Sequence, residues 1–118
     1  MTLSLEKDDF GRLICRIEDG DSRATITSRD ATVLAEWISA IEDTPQSGYV
    51  DCYWSEQAGN YRWMFRLAGA NLRIYVTWGG GAGQGWEYIY SSEHEAALVR
   101  RQARRAVEAL DTEVGRDD

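Results

Sequence analysis

Tyr61-Arg62-Trp63-Met64-Phe65-Arg66-Leu67 and, a short turn later, Leu72-Arg73-Ile74-Tyr75-Val76-Thr77-Trp78 are the stretch on which the fold turns. Both segments alternate with period two. Tyr61, Trp63, Phe65 and Leu67 share one side and Arg62, Met64 and Arg66 the other; Leu72, Ile74, Val76 and Trp78 repeat the pattern against Arg73, Tyr75 and Thr77. Successive side chains of a strand point to opposite faces, so this alternation predicts two half-buried strands joined at Gly69-Ala70-Asn71. Upstream, Val50, Cys52 and Trp54 alternate with Asp51, Tyr53 and Ser55, and Ala58-Gly59-Asn60 turns the chain into Tyr61. The three strands form an antiparallel meander with one large apolar face, which needs a cover.

Two amphipathic helices are expected to supply it. Leu34, Trp37, Ile38 and Ile41 recur at i, i+3, i+4 and i+7, predicting a helix over 29–43 with Thr27 or Ser28 as its N-cap and Asp30 in its first turn. Pro45-Gln46-Ser47-Gly48 ends it. After the glycine-rich run Gly79–Gly85 comes an aromatic strand, Trp86-Glu87-Tyr88-Ile89-Tyr90. Ser92 with Glu95 then has the spacing of a capping box, opening a second helix in which Ala96, Val99, Ala103 and Leu110 share a face and which ends near Asp111.

The N-terminal part reads as three further strands. Residues 2–7 precede the turn at Asp8-Asp9-Phe10-Gly11, Leu13, Cys15 and Ile17 share one side of the next strand, and Asp19-Gly20 turns into Ser22–Thr27. The expected order is therefore β-β-β-α-β-β-β-β-α: an α+β fold, mainly antiparallel sheet, with both helices packed on one face. A chain of 118 residues and 13.4 kDa fits one domain. Its expected limits are residues 1–111, with 112–118 a frayed acidic tail.

Charge narrows the partner. The net charge is −7, and residues 1–59 hold all of the excess, with five basic and twelve acidic side chains. That sign opposes binding of nucleic acid or anionic membrane by global charge, and it suits a basic protein, such as one that handles nucleic acid. Residues 1–7 lack the basic and apolar regions of a secretory signal, and no stretch is long and apolar enough to span a membrane, so a cytoplasmic location is expected.

No motif points to catalysis. The glycines of 79–85 lack a following Lys-Ser/Thr, match no GxGxxG window and lead into a strand, so backbone N–H groups do not converge on a phosphate. His94 is the one histidine and falls in the expected first helical turn as a surface residue; Cys15 and Cys52 sit within apolar strand patterns as buried free thiols. Glu18-Asp19-Gly20-Asp21 and Asp8-Asp9 lack the ordered spacing of a calcium loop and read as turns. Arg100, Arg101, Arg104 and Arg105 read as a solvated helix face matched to the dipole. No cofactor, metal or catalytic residue is expected.

The pleat does point to a binding surface. If the tryptophans point inward, Tyr53, Arg62, Arg66, Arg73 and Tyr75 emerge together on the opposite face, joined by Trp86 or by Tyr88 and Tyr90. Tyrosine, tryptophan and arginine are enriched in protein interfaces because each offers a large contact area with hydrogen-bonding capacity. Asp19 and Asp21, in the acidic half, complete the expected partner-binding set. The small acidic α+β habit resembles that of bacterial immunity proteins and phage-encoded anti-defence inhibitors such as anti-CRISPR proteins; the resemblance is one of composition and assigns no residue a role. It implies a non-enzymatic module that inhibits a bacterial enzyme or nucleoprotein complex. The alternative is a small-ligand pocket lined by Trp37, Trp54, Trp63 and Trp78. An exposed meander edge would also suit a homodimer.

Overall fold

The computed structural model describes residues 1–80 and 85–116, with side chains described as far as Leu110. The decisive stretch forms β5 (Gly59–Ala68) and β6 (Asn71–Gly79), flanked by β4 (Val50–Glu56) and β7 (Trp86–Glu95) in an antiparallel sheet of order β4-β5-β6-β7. Gly69 closes the β5–β6 turn at φ +62°, a backbone setting that side-chain-bearing residues rarely adopt. A second antiparallel sheet, β1 (Thr2–Lys7), β2 (Leu13–Asp19) and β3 (Ser22–Ser28), runs in sequence order. Helix α1 (Leu34–Glu42) lies between the sheets in sequence and α2 (Ala96–Arg116) follows β7. The element order is the one the sequence implies, on two sheets.

One apolar core joins all of these elements. Leu3 and Leu5 of β1, Leu13, Cys15 and Ile17 of β2, and Ile26 of β3 meet Trp37 and Ile41 of α1 and Val99, Ala103 and Leu110 of α2. From the second sheet come Cys52, Trp54, Trp63, Phe65, Leu72, Ile74 and Val76. At its centre the rings of Trp37, Trp54 and Trp63 lie 5.1–5.7 Å apart in tilted pairs, which set ring edges against ring faces. Polar links fasten the seam between the sheets: the Arg29 amide donates to the Ser55 carbonyl at 2.9 Å, and Arg12 pairs with Glu56.

Four local expectations are corrected. The first helix begins at Leu34, after a 3-10 turn at Ala31–Val33, because the Asp30 carboxylate caps that turn through the Thr32 amide at 2.9 Å. Ser28 is no cap; it stays in the ladder opposite Leu13 and is buried. Ser92 and Glu95 form no capping box either. Pairing with the long β6 extends β7 to Glu95, with Ser92 opposite Ile74, and the helix starts only where Ala96 donates to the Ala70 carbonyl. The second helix then continues past Asp111 to Arg116, through residues that contain no breaker before Gly115, so the expected tail is helical over 112–116. Asp117 and Asp118 lie outside the described residues.

The fourth correction bears on the site. A β-bulge between Val76 and Thr77 leaves Ile89 as the extra residue of β7, pairing Val76 with Tyr90 and Thr77 with Tyr88. Tyr90 therefore turns inward and is buried, while Tyr88 and Trp86 turn outward. No helix of the described residues is long and apolar enough to cross a membrane.

Candidate functional site

Strand register sorts the outward residues of the second sheet into cross-strand rows. Tyr53, Arg62, Thr77 and Tyr88 form one row; Asp51, Met64, Tyr75 and Ser91 form the next; Arg66, Arg73 and Glu93 form the third. Trp86 stands opposite Gly79 beside the first row, and its ring lies across that glycine: a β-carbon there would come within 2.7 Å of it. A side chain there would push the ring aside. Trp86 is thereby brought toward Tyr53, at 6.4 Å between ring centres, while Tyr75 and Tyr88 meet edge to face at 5.8 Å.

These aromatics remain in water. Tyr49, Tyr53, Tyr75, Trp86 and Tyr88 are between 42% and 57% exposed, a concentration of exposed large side chains on one face of one sheet. The structure therefore brings together Tyr53, Arg62, Arg66, Arg73, Tyr75, Trp86 and Tyr88. Their alternation had placed most of them. Tyr49, which the sequence reading left out, continues the series Tyr49, Asp51, Tyr53, and Arg62 sits over its ring at 5.9 Å.

The arginines differ in how they are held. Arg62 donates from Nε and one terminal nitrogen to Asp51, at 3.1 and 2.9 Å. Partial burial is the largest single influence and opposes its charge, yet the bonds to Asp51 together with the charges of Asp51, Tyr53 and Tyr49 outweigh it and raise its pKa above the ordinary arginine value. Arg73 donates to Glu93 at 2.6 Å, and the second Glu93 oxygen accepts from Asn71 at 2.9 Å. Those bonds, with Asn71 the larger influence, hold the Glu93 carboxyl below its usual pKa. Arg66 makes no hydrogen bond or ion pair among the described residues. Between the rows lies a groove of about 480 Å³, lined by Tyr49, Met64, Arg66, Arg73, Tyr75 and Ser91 among others.

Asp19 and Asp21 are elsewhere, at the β2–β3 turn. Asp19 is occupied within the chain: its Oδ2 lies 2.8 Å from Nε2 of His94 and accepts from the Tyr90 hydroxyl at 3.1 Å. The bond to His94 is the main cause of its lowered pKa, and burial pushes the Tyr90 phenol up to about 12. His94 is a half-buried strand residue facing Asp19, not part of a helical first turn. No local sequence signal could have joined positions 75 residues apart. Several other acidic groups are set apart or paired. Asp8 and Asp9 lie at one end of the first sheet and Asp21 at the other, while Glu6, Glu42, Asp51 and Glu56 are paired with Arg16, Arg104, Arg62 and Arg12.

The remaining candidates resolve into structure. Trp37, Trp54 and Trp63 are fully buried and fill the space among themselves, and Trp78 stands apart from them, 4.7 Å from Tyr61. Burial pushes the Cys15 thiol up, and burial with the nearby charges of Glu36 and Asp51 pushes Cys52 up to about 12. Arg100 donates to the Ile41 carbonyl at the end of α1, and Arg104 to Glu42. Residues 81–84 of the glycine loop lie outside the described residues. Among the described residues, no three His, Cys, Asp or Glu side chains are placed to share a metal ion. Comparison with protein-family models, curated proteins and solved structures finds no match to this chain, so the site is interpreted from its own geometry.

Proposed function

We propose that the chain is a non-enzymatic protein-binding module that docks on its partner through the outward face of the β4–β7 sheet. The observation that carries this reading is the five exposed aromatic side chains, Tyr49 just before β4, Tyr53 on β4, Tyr75 on β6 and Trp86 and Tyr88 on β7, with the arginines of β5 and β6 between them. Residues of these types lose little conformational freedom on contact relative to the area they bury, so they serve as anchors at interface centres. A rigid sheet holds them in place before binding, which lowers the ordering cost of association. A module of this kind acts by covering a functional surface of its partner, in the way of an inhibitor of a bacterial enzyme or nucleoprotein complex.

The dispersal of the acidic side chains takes weight from a basic partner channel and leaves it on the aromatic face. The tryptophan-lined pocket has no comparable support, since the three buried rings occupy the space a ligand would need.

The test is affinity capture from the native host with the wild-type protein and with a Trp86→Ala, Tyr88→Ala double variant. Loss of a saturable partner by at least about tenfold in the variant, with folding unchanged, is expected for removal of two interface anchors. A variant that captures the same partner equally well would overturn the reading.

A further inference from the structure

The third row of the outward face contains an electrostatic conflict that no described residue resolves. Arg66 and Arg73 are directly opposed across β5 and β6, and like charges in that position repel. Arg73 has a counter-ion in Glu93, but both Glu93 oxygens are engaged, one by Arg73 and one by Asn71. Arg66 finds no hydrogen-bonding or ionic partner among the described residues, and it stands on the wall of the groove beside Met64, Tyr49 and Tyr75.

That groove has the means to receive an anion together with something apolar. A guanidinium presents two parallel N–H groups to a carboxylate, and partial exclusion of water strengthens such a pair. The thioether of Met64 and the ring of Tyr75 are cross-strand neighbours and form an adaptable apolar floor in the adjoining row.

We propose that this groove is a carboxylate socket: Arg66, with Arg73 as second donor, takes an aspartate or glutamate side chain of the protein partner, while Met64 and Tyr75 hold the apolar residue next to it. The inference rests on the reading of this face as the protein-contact surface and names the chemistry of what it contacts. A nucleic-acid strand is the less suitable occupant. Asp51 neutralises Arg62, Glu93 pairs with Arg73, and Glu95 is exposed one row further on opposite Asn71, so the face has no surplus of positive charge. Binding to a phosphodiester chain draws on several uncompensated cations, whereas one carboxylate needs one fork.

The experiment uses N-acetyl-Asp-Phe-amide as the probe and N-acetyl-Asn-Phe-amide as its uncharged counterpart, followed by NMR at the arginine Nε–H groups and the Met64 methyl. The Asp probe is expected to bind with Kd on the order of 1 mM and to shift Arg66, Met64 and Tyr75. The Asn probe should bind about tenfold more weakly, and Arg66→Gln should reduce the Asp probe to that level. Equal binding of the two probes, no shift up to about 10 mM, or tighter binding of an eight-nucleotide oligothymidylate each overturns the socket.

Capture of the partner with Arg66→Gln alone separates this proposal from the reading beneath it. Expected is loss of the partner with Arg66→Gln and with the Trp86/Tyr88 variant alike. If the aromatic variant loses the partner and Arg66→Gln retains it, the contact face stands and the socket falls. If neither variant loses it, the contact face falls, and the socket as a protein-recognition site falls with it.

Discussion

Trp54, Trp63, Phe65, Ile74 and Val76 are at most 2% exposed on the inner face of the four-stranded sheet, whereas Tyr53, Arg66, Arg73 and Tyr75, one residue along the same strands, stand in water. The backbone that carries both sets is identical. What differs is the opposite side: α1 and the first sheet close over one face, and no described residue closes over the other. On the inner face the aromatics meet each other at core distances; on the outer face Tyr75 meets Tyr88 and Tyr53 meets Trp86 with each residue about half exposed. On the proposed reading, shared aromatic character serves two purposes, cohesion within the chain and contact beyond it. The outer arginines belong to the second purpose to the extent that they lack counter-ions of their own.

The sharpest way to break this comparison is to truncate one aromatic on each side. Trp63→Ala removes a fully buried ring packed against Trp37, Trp54 and Phe65, and is expected to cost about 3–5 kcal/mol in urea unfolding. Tyr75→Ala, on the exposed face of β6, should cost less than about 1 kcal/mol. If the two lose comparable stability, the outer face is part of the core and cannot be a contact surface. If they separate as expected, a loss of partner binding in Tyr75→Ala can be read as a surface effect.

Alternation made both faces legible, because period-two spacing over four strands admits few other arrangements. Three features escaped it, each for a physical reason. The bulge at Val76/Thr77 reverses the facing of β7 without disturbing its composition, so Tyr88 and Tyr90 could not be sorted by sequence. Ser92 and Glu95 have real capping chemistry, but backbone pairing with β6 competes for the same residues and wins. The contact of Asp19 with Tyr90 and His94 joins two sheets, and only the tertiary fold brings those positions together. Arg66 was legible as outward-facing; that Glu93 is exhausted by Asn71 and Arg73 was not.

A second test concerns the polar rim of the inner face, where Asp19 accepts from the β7 side chains. The sign follows from its lowered pKa. The unfolded carboxyl has a pKa of about 3.9, the folded one lies below it, and the ionised form is therefore the one that folding favours. Its contribution is fully present above that unfolded value and is lost as pH falls through the folded one. Asp19→Asn should cost about 1–2 kcal/mol near pH 5. The gap between wild type and variant should close as acid protonates Asp19. Urea midpoints taken at intervals from about pH 5 to pH 2.5 would show it, and a gap independent of pH across that range would mean that the bond to His94 contributes through geometry alone.

The smallest effects test whether the same division into engaged and free side chains holds on α2. Arg100 and Arg101 are neighbours of the same chemistry, and sequence alone treated them as one solvated cluster. In the fold Arg100 is half-buried, its Nε donating at 3.0 Å to the Ile41 carbonyl, one of the last carbonyls of α1 and one that no residue within that helix can satisfy. Arg101 is exposed. Arg100→Ala should therefore lower stability by about 1–2 kcal/mol, since it removes a charge-assisted bond and leaves the Ile41 carbonyl only the Thr44 hydroxyl, at 3.2 Å and shared with the Ala40 carbonyl. Arg101→Ala should stay within about 0.5 kcal/mol of wild type. Arg104→Ala, which breaks an ion pair to Glu42 that is largely open to solvent, should fall between the two, at about 0–1 kcal/mol. Equal costs for Arg100 and Arg101 would mean that the tie between the two helices is carried by their apolar contacts, and that engagement seen in the fold does not by itself distinguish a structural arginine from a free one. The identification of Arg66 as the arginine left over on the sheet would then need the binding measurement alone to sustain it.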